Sequence, residues 1–153
     1  MAQRRTSICI LAMLSSALIA CGAPEIGQQV ELDAEDAAAY TQRDGFTVPD
    51  GFVFSRGHTS TEFVGRAPWS ARFEASDEFS DGVAVTAANP SFPPMMETPC
   101  SALPPGGWTS LGLTCTLTVL STQYPPSGKL DSVTAVLTGD ERGASLFLYS
   151  AGH

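Results

Sequence analysis

Lysine and histidine are scarce in this chain of 153 residues, and cationic side chains are few altogether. Lys129 is the only lysine, and histidine occurs only as His58 and His153. Eight Lys and Arg stand against sixteen Asp and Glu, which gives a net charge of −8. Nucleic acids are held through clustered Lys and Arg that neutralise phosphates. The composition therefore predicts no nucleic-acid partner.

Long apolar runs are also missing. The apolar segment over residues 7–20 is shorter than the roughly 20 residues that a membrane-spanning helix needs. It follows Arg4 and Arg5, and a basic start before a short apolar run is typical of a secretory signal. The sequence predicts a signal peptide over residues 1–20. The chain is too short for a large enzyme scaffold and fits one small domain.

The end of the predicted signal, Leu18-Ile19-Ala20-Cys21, resembles the lipobox of bacterial lipoproteins. The resemblance covers only residues 1–22. In that family the cysteine is acylated with a diacylglycerol and becomes the new N-terminus. The resemblance implies lipidation of Cys21, export, and attachment to the cell membrane or envelope outside the cytoplasm. A plain secretory signal with an accidental cysteine is the alternative.

The four cysteines test this interpretation. Cys9 would be removed with the signal, and lipidation of Cys21 would leave Cys100 and Cys115 as a pair. In an oxidising compartment such a pair predicts an intrachain disulfide. Metal binding is the alternative, but no other Cys or His lies near enough in sequence to complete a set of four ligands. We therefore predict one disulfide, no metal and no cofactor.

The mature chain divides into a lipidated tether, residues 21–45, and a single domain, residues 46–153. Residues 22–32 carry no periodic apolar pattern, as is typical of a tether. Acidic residues, an alanine-rich middle and Gly45 then predict a short helix over 34–43, which could equally be part of the tether.

Strand patterns dominate the predicted domain. The candidate strands are 52–55, 62–65, 69–75, 113–121, 132–138 and 144–150. Residues 77–88 combine acidic N-terminal residues with helical apolar spacing up to Asn89-Pro90, which predicts one main helix. The fold class expected is α+β: a small antiparallel sheet of about five strands, with that helix packed on one face and one disulfide.

No motif for catalysis is found in the sequence. It lacks a Gly-x-Ser-x-Gly elbow and a phosphate-binding P-loop. Residues 58–62 place an imidazole, hydroxyls and a carboxylate together, but catalytic triads are assembled across a fold rather than from sequence neighbours. We predict that His58 lies in a polar turn between the first two strands, and we assign no catalytic residue.

One connection is a candidate for binding. Residues 90–107 contain six prolines, and long loops in compact domains are often functional. Phe92, Met95, Met96 and Trp108 place large apolar groups in or beside this loop. They form a candidate binding surface. The alternative is that they fold back to cap the core.

Over residues 46–153 the layout resembles small envelope lipoproteins of high-GC actinobacteria whose role is unassigned. The resemblance is carried by Val48-Pro49, the strand and helix unit over 69–88, the Cys100 and Cys115 pair and the closing hairpin. It supplies no catalytic residue. We expect an envelope-anchored lipoprotein that binds an envelope protein or an apolar ligand, or has a structural role, without catalysis.

Two alternatives are kept. A carrier of a lipid or other apolar ligand predicts an enclosed apolar cavity between helix 77–88 and the sheet, larger than about 300 Å³. A small exported hydrolase predicts that His58 faces a carboxylate and a hydroxyl across a pocket.

Overall fold

Seven strands and two short α-helices form the part of the chain that the structure describes. The computed structural model describes residues 27–61, 65–125 and 132–152. The strands are β1 (Gln29–Glu31), β2 (Val53–Ser60), β3 (Trp69–Ala75), β4 (Met96–Pro99), β5 (Thr118–Tyr124), β6 (Val133–Asp140) and β7 (Gly143–Ser150). The helices are α1 (Ala34–Arg43) and α2 (Val83–Ala88), with 3₁₀ turns at Asp77–Phe79 and Cys100–Ala102.

The strands form one antiparallel sheet in the order β1-β2-β3-β7-β6-β5-β4. Strands β1 to β3 make one meander and β4 to β7 make a second. The pairing of β3 with β7 joins the two meanders, from Trp69 opposite Ser150 to Ala75 opposite Ala144. After β3 the chain crosses to the far edge of the sheet before it returns.

The predicted α+β fold with a sheet of about five strands is wrong. The helix expected over 77–88 divides because Gly82 adopts a φ of +76°. Glycine adopts this left-handed conformation readily, but a right-handed helix cannot continue through a residue in that conformation. A 3₁₀ turn and the six-residue α2 remain. The mostly β architecture follows from this loss and from strands that the sequence analysis missed.

The missed strands have weak sequence signals. Strand β1 is three exposed residues, and β4 lies between prolines and ends at Pro99. His58 lies inside β2, so the polar turn predicted there is also wrong. The strand predicted over 113–121 begins only at Thr118. Of the strand predicted over 62–65, residues 62–64 lie outside the described residues.

Other expectations are confirmed. Strand β3 spans the same residues as its predicted strand, and β6 and β7 form the predicted hairpin. Cys100 and Cys115 form the predicted disulfide, with their Cα atoms 5.8 Å apart. A disulfide is typical of a protein exported to an oxidising compartment.

The larger core lies on one face of the sheet. Alternate residues of the three central strands supply its floor: Trp69, Ala71, Phe73, Val133, Ala135, Leu137, Ala144, Leu146 and Leu148. Ala37 of α1, Val85 of α2, Phe46 and Phe92 cover them. Residues 29–43, which the sequence analysis placed in the tether, thus contribute an edge strand and a packed helix. Removal of this apolar surface from water is the main stabilising contribution.

The loop that the disulfide closes covers the opposite face. Trp108 and Leu111 of this loop pack on Val119, Val136 and Phe147 of the sheet. Because β6 and β7 are covered on both faces, their sequences read as nearly continuous apolar runs rather than as a simple alternation. We call this second surface the polar face, since polar side chains occupy it wherever the loop does not reach.

A buried carboxylate holds the end of α1 against the larger core. The Asp44 side chain is 2% exposed. It accepts hydrogen bonds from Trp69 Nε1 at 2.6 Å and from Arg43 Nε at 2.7 Å, and Arg66 lies 3.7 Å away. Burial alone would raise the pKa of Asp44, but these hydrogen bonds and the positive charges of both arginines hold it below its ordinary value near 3.8.

We predict that Asp44→Asn lowers the free energy of unfolding at pH 7 by about 1–3 kcal/mol, because charge-assisted hydrogen bonds are lost from a buried site. The folded-state pKa is depressed, so this contribution is present above the unfolded-state pKa and is lost as pH falls through the folded-state value. The difference between wild type and variant should therefore narrow below about pH 4.

Urea unfolding of both proteins between pH 2 and pH 7 measures this difference. Asp50→Asn, at an exposed aspartate, is the matched control and should change the free energy little. An Asp44→Asn effect that is equally large at pH 2 and pH 7 would show that the charge of the carboxylate is not responsible.

Candidate functional site

A polar cleft of about 690 Å³ opens on the polar face. It lies where β3 and the β6–β7 hairpin meet the disulfide loop. We call it the Arg72 cleft, and the polar side chains that line it are Arg72, Glu74, Thr114, Thr138, Asp140, Arg142 and Ser145. Two cations, two carboxylates and three hydroxyls therefore face one space. Such a lining suits a small polar ligand rather than an apolar one.

Arg72 occupies the floor of the cleft and ties it to the loop. Its Nη1 donates to the Leu111 carbonyl at 3.3 Å, and its Nη2 lies 3.2 Å from Ser145 Oγ and 2.9 Å from a carboxylate oxygen of Glu74. The guanidinium carbon lies 5.3 Å from the centre of the Phe147 ring. Its Nε is buried without a partner among the described residues. Packing and hydrogen bonds thus fix the orientation of this cation.

The hairpin between β6 and β7 forms the rim. The Asp140 carboxylate accepts from the backbone N–H of Arg142 at 2.8 Å and pairs with its guanidinium at 3.2 Å. The backbone hydrogen bond is the main reason that the pKa of Asp140 lies below its ordinary value. Gly143 has a φ of +139°, and a Cβ there would overlap the carbonyl oxygen of Ala75. Only glycine lets the hairpin lie this close to β3.

A second polar group lies on the same face, toward the edge of the sheet. Glu31, His58 and Ser70 stand directly opposite one another on β1, β2 and β3. Ser70 is buried, and a Cβ on Gly107 of the loop would lie 3.0 Å from its hydroxyl. Within the described ranges, no hydrogen bond joins the side chains of Glu31, His58 and Ser70. Sequence neighbours could not reveal this row, because its members come from three strands.

An exported hydrolase stays a prediction, because the register places a hydroxyl and a carboxylate opposite His58 but no hydrogen bond among these described residues joins them. A fluorophosphonate probe that leaves every serine unmodified would contradict a serine hydrolase.

The four residues of the candidate binding surface are not brought together. Phe92 is 6% exposed in the larger core, where Met95 packs against it from the margin, and Trp108 is 8% exposed in the second core. Met96 alone is prominent, at 66% exposed, and lines a groove of about 310 Å³ beside β4. Cys21, the predicted lipidation site, lies outside the described residues.

The carrier hypothesis predicts an apolar cavity between helix 77–88 and the sheet, but the apolar groove found in the structure lies at a different place. It measures about 480 Å³ and runs between α1 and residues 46–54, with Phe46, Phe52 and Phe54 in its walls. On the side of α2, Val85 is fully buried against the sheet.

Comparisons with protein-family models, with curated proteins and with solved structures found no match. Within residues 27–61, 65–125 and 132–152, no three His, Cys, Asp or Glu side chains are grouped so that they could hold a metal ion. No helix in those ranges has the length and apolarity of a membrane span.

We predict that replacing both Cys100 and Cys115 by serine lowers the free energy of unfolding by about 3 kcal/mol, as the chain-entropy model gives for a loop of about 15 residues. The loop would also hold Leu111 less firmly against Arg72, so amide exchange over 103–113 should become faster. Urea unfolding and hydrogen exchange measure these two effects.

Ser101→Ala, in the same 3₁₀ turn and exposed, is the control and should leave both quantities unchanged. Equal unfolding free energies for wild type and the double variant would contradict a stabilising disulfide.

Proposed function

We propose that this protein is an exported, lipid-anchored domain that binds a small polar ligand in the Arg72 cleft without catalysing a reaction. The observation that carries the proposal is the fixed guanidinium of Arg72 on the floor of a cleft lined by hydroxyls and carboxylates. A cation whose orientation is already set loses little freedom when it binds a ligand. The disulfide supports export, and the lipobox resemblance at Cys21 supports the anchor.

The anchor would hold the domain close to the membrane. Strand β1 begins at Gln29, and the eight steps of chain from Cys21 to Gln29 reach at most about 28 Å, at roughly 3.5 Å per residue. The 25-residue tether expected from the sequence would reach about three times as far. A ligand for this domain would therefore be met near the membrane surface.

We predict that the wild-type protein, expressed in a bacterial host that processes lipoproteins, is recovered with the membranes. Mass spectrometry should find Cys21 as its acylated first residue. Cys21→Ser should abolish acylation and release the domain from the membrane fraction, because a serine cannot carry the thioether-linked lipid. Cys9→Ser is the matched control, since this cysteine would be removed with the signal. A mature N-terminus at another residue, without lipid, would refute the anchor.

We predict that small polar probes perturb the cleft. Glucose, glycine betaine, acetate and sulfate would each be added to the ¹⁵N-labelled mature protein, and amide shifts recorded by NMR. At least one probe should shift the amides of Thr114, Thr138 and Ser145 while leaving α1 unchanged. Binding of this kind falls in the millimolar range for single small groups.

The same NMR measurement with dihexanoylphosphatidylcholine, below its critical micelle concentration, distinguishes the carrier hypothesis from binding of a polar ligand in the Arg72 cleft. Shifts confined to the groove between α1 and residues 46–54 would favour a carrier of apolar ligands. Absence of any shift at the cleft with all four polar probes would overturn the proposed binding site.

A further inference from the structure

A β-bulge sets the direction of one arginine on the polar face. Phe54 stands opposite Phe73 and Arg56 stands opposite Arg72, so the register of β2 against β3 shifts by one residue between Phe54 and Arg56. In a regular strand Phe54 and Arg56 would point to the same face. The extra residue lets Phe54 pack on Phe73 in the larger core while Arg56 takes the polar face. Bulges are frequent where a strand must redirect a side chain next to a functional site.

The bulge therefore places two arginines, Arg56 and Arg72, directly opposite each other on the polar face. Residues directly opposite in antiparallel strands have Cβ atoms about 4.5–5.5 Å apart, and like charges in such a pair destabilise the sheet. Glu74 pairs with Arg72. Arg56 is exposed, and the ion pairs among the described residues do not include it. The positive charge at this point is thus only partly neutralised.

The arginines are unevenly distributed over this acidic protein. The described ranges contain five arginines and no lysine: Arg43, Arg56, Arg66, Arg72 and Arg142. Three of them lie on the polar face or on the rim of its cleft, whereas the chain carries a net charge of −8. Arg72 is paired with Glu74 and Arg142 with Asp140, so Arg56 adds a further positive charge beside an arginine that is already partly neutralised.

We propose that Arg56 and Arg72 together bind an oxyanion, namely the phosphate, sulfate or carboxylate group of the ligand. The proposal rests on the proposed function, because Arg72 also forms the floor of the cleft that would hold the rest of that ligand. Planar guanidinium groups match such oxyanions through paired, charge-assisted hydrogen bonds. A bound anion would also relieve the repulsion between the two arginines. The group can belong to a free molecule or to a lipid headgroup of the nearby membrane.

The test is a titration of the mature protein with sodium sulfate or phosphate at constant ionic strength maintained with chloride, followed by NMR shifts and thermal unfolding. Wild type should bind with shifts at Arg56 and Arg72 and should unfold at a higher temperature. Arg56→Gln should weaken anion binding about tenfold, as loss of one charged hydrogen-bonding partner predicts. Because it removes the repulsion, this variant should also be at least as stable as wild type without anion.

Arg66→Gln is the matched control, since it removes the same charge beside Asp44 and away from the polar face. It should change the affinity by less than about twofold. Arg72→Lys keeps the charge but loses the planar fork, so it should bind the anion more weakly than wild type. Sedimentation with phosphatidylcholine vesicles, with and without phosphatidylglycerol, distinguishes a headgroup from a free anion.

Anion binding that is equal in wild type and Arg56→Gln would overturn the inference. Shifts at the cleft with glucose or glycine betaine, but none with sulfate, phosphate or acetate, would also overturn it and leave the proposed polar-ligand function standing. If neither neutral nor anionic probes shift the cleft, the proposed function and the inference both fail.

Discussion

The pairing of β3 with β7 is the interaction on which the rest of the structure depends. Seven residue pairs join the two meanders, and their members are about seventy to eighty positions apart in the chain. On one side of this pair lie the residues of the larger core, and on the other lie Arg72, Ser145 and Phe147. Both the core and the cleft therefore require the same long-range ladder. Such non-local contacts close large loops, which costs conformational entropy before apolar burial compensates for it.

The sequence predicts those parts of the fold in which local pattern and tertiary environment agree. Strand β3 alternates clearly because one of its faces enters the larger core and the other carries polar groups. The hairpin of β6 and β7 and the single disulfide were found for similar local reasons. The helix predicted over 77–88 was wrong because one glycine, Gly82, takes a left-handed conformation in the middle of an otherwise helical spacing. Its neighbours in sequence give no sign of this choice.

The short strands show a different limit. Strand β4 has four residues in a proline-rich connection, and it is a strand because β5 offers it an edge. Strand β1 forms because β2 extends as far as Ser60, where the edge of β2 that does not face β3 is available for pairing. Neither sequence has enough β propensity to predict the strand alone, since propensity in sheets depends on neighbours. In both cases the tertiary partner decides the local structure.

The candidate site was less predictable than the fold. Alternation along β3 predicts that Arg72 lies on the face opposite Trp69. The sequence predicts nothing further about the residues that surround Arg72. That Arg56 stands beside Arg72 depends on the register of two strands and on a bulge between them. The row of Glu31, His58 and Ser70 depends on the register of three. Binding sites built across a sheet are invisible to motifs, because each strand contributes one residue to them.

The edges of the sheet make the polar face the stronger candidate for recognition. Strand β1 is short, and it would be held within about 28 Å of the lipid if Cys21 is acylated. Strand β4 lies at the other edge, six strand spacings of about 4.8 Å away. Pro99, the last residue of β4, has no N–H to offer an added strand. Since both edges are poorly suited to pairing with another chain, recognition through side chains on the polar face is favoured over recognition through the backbone.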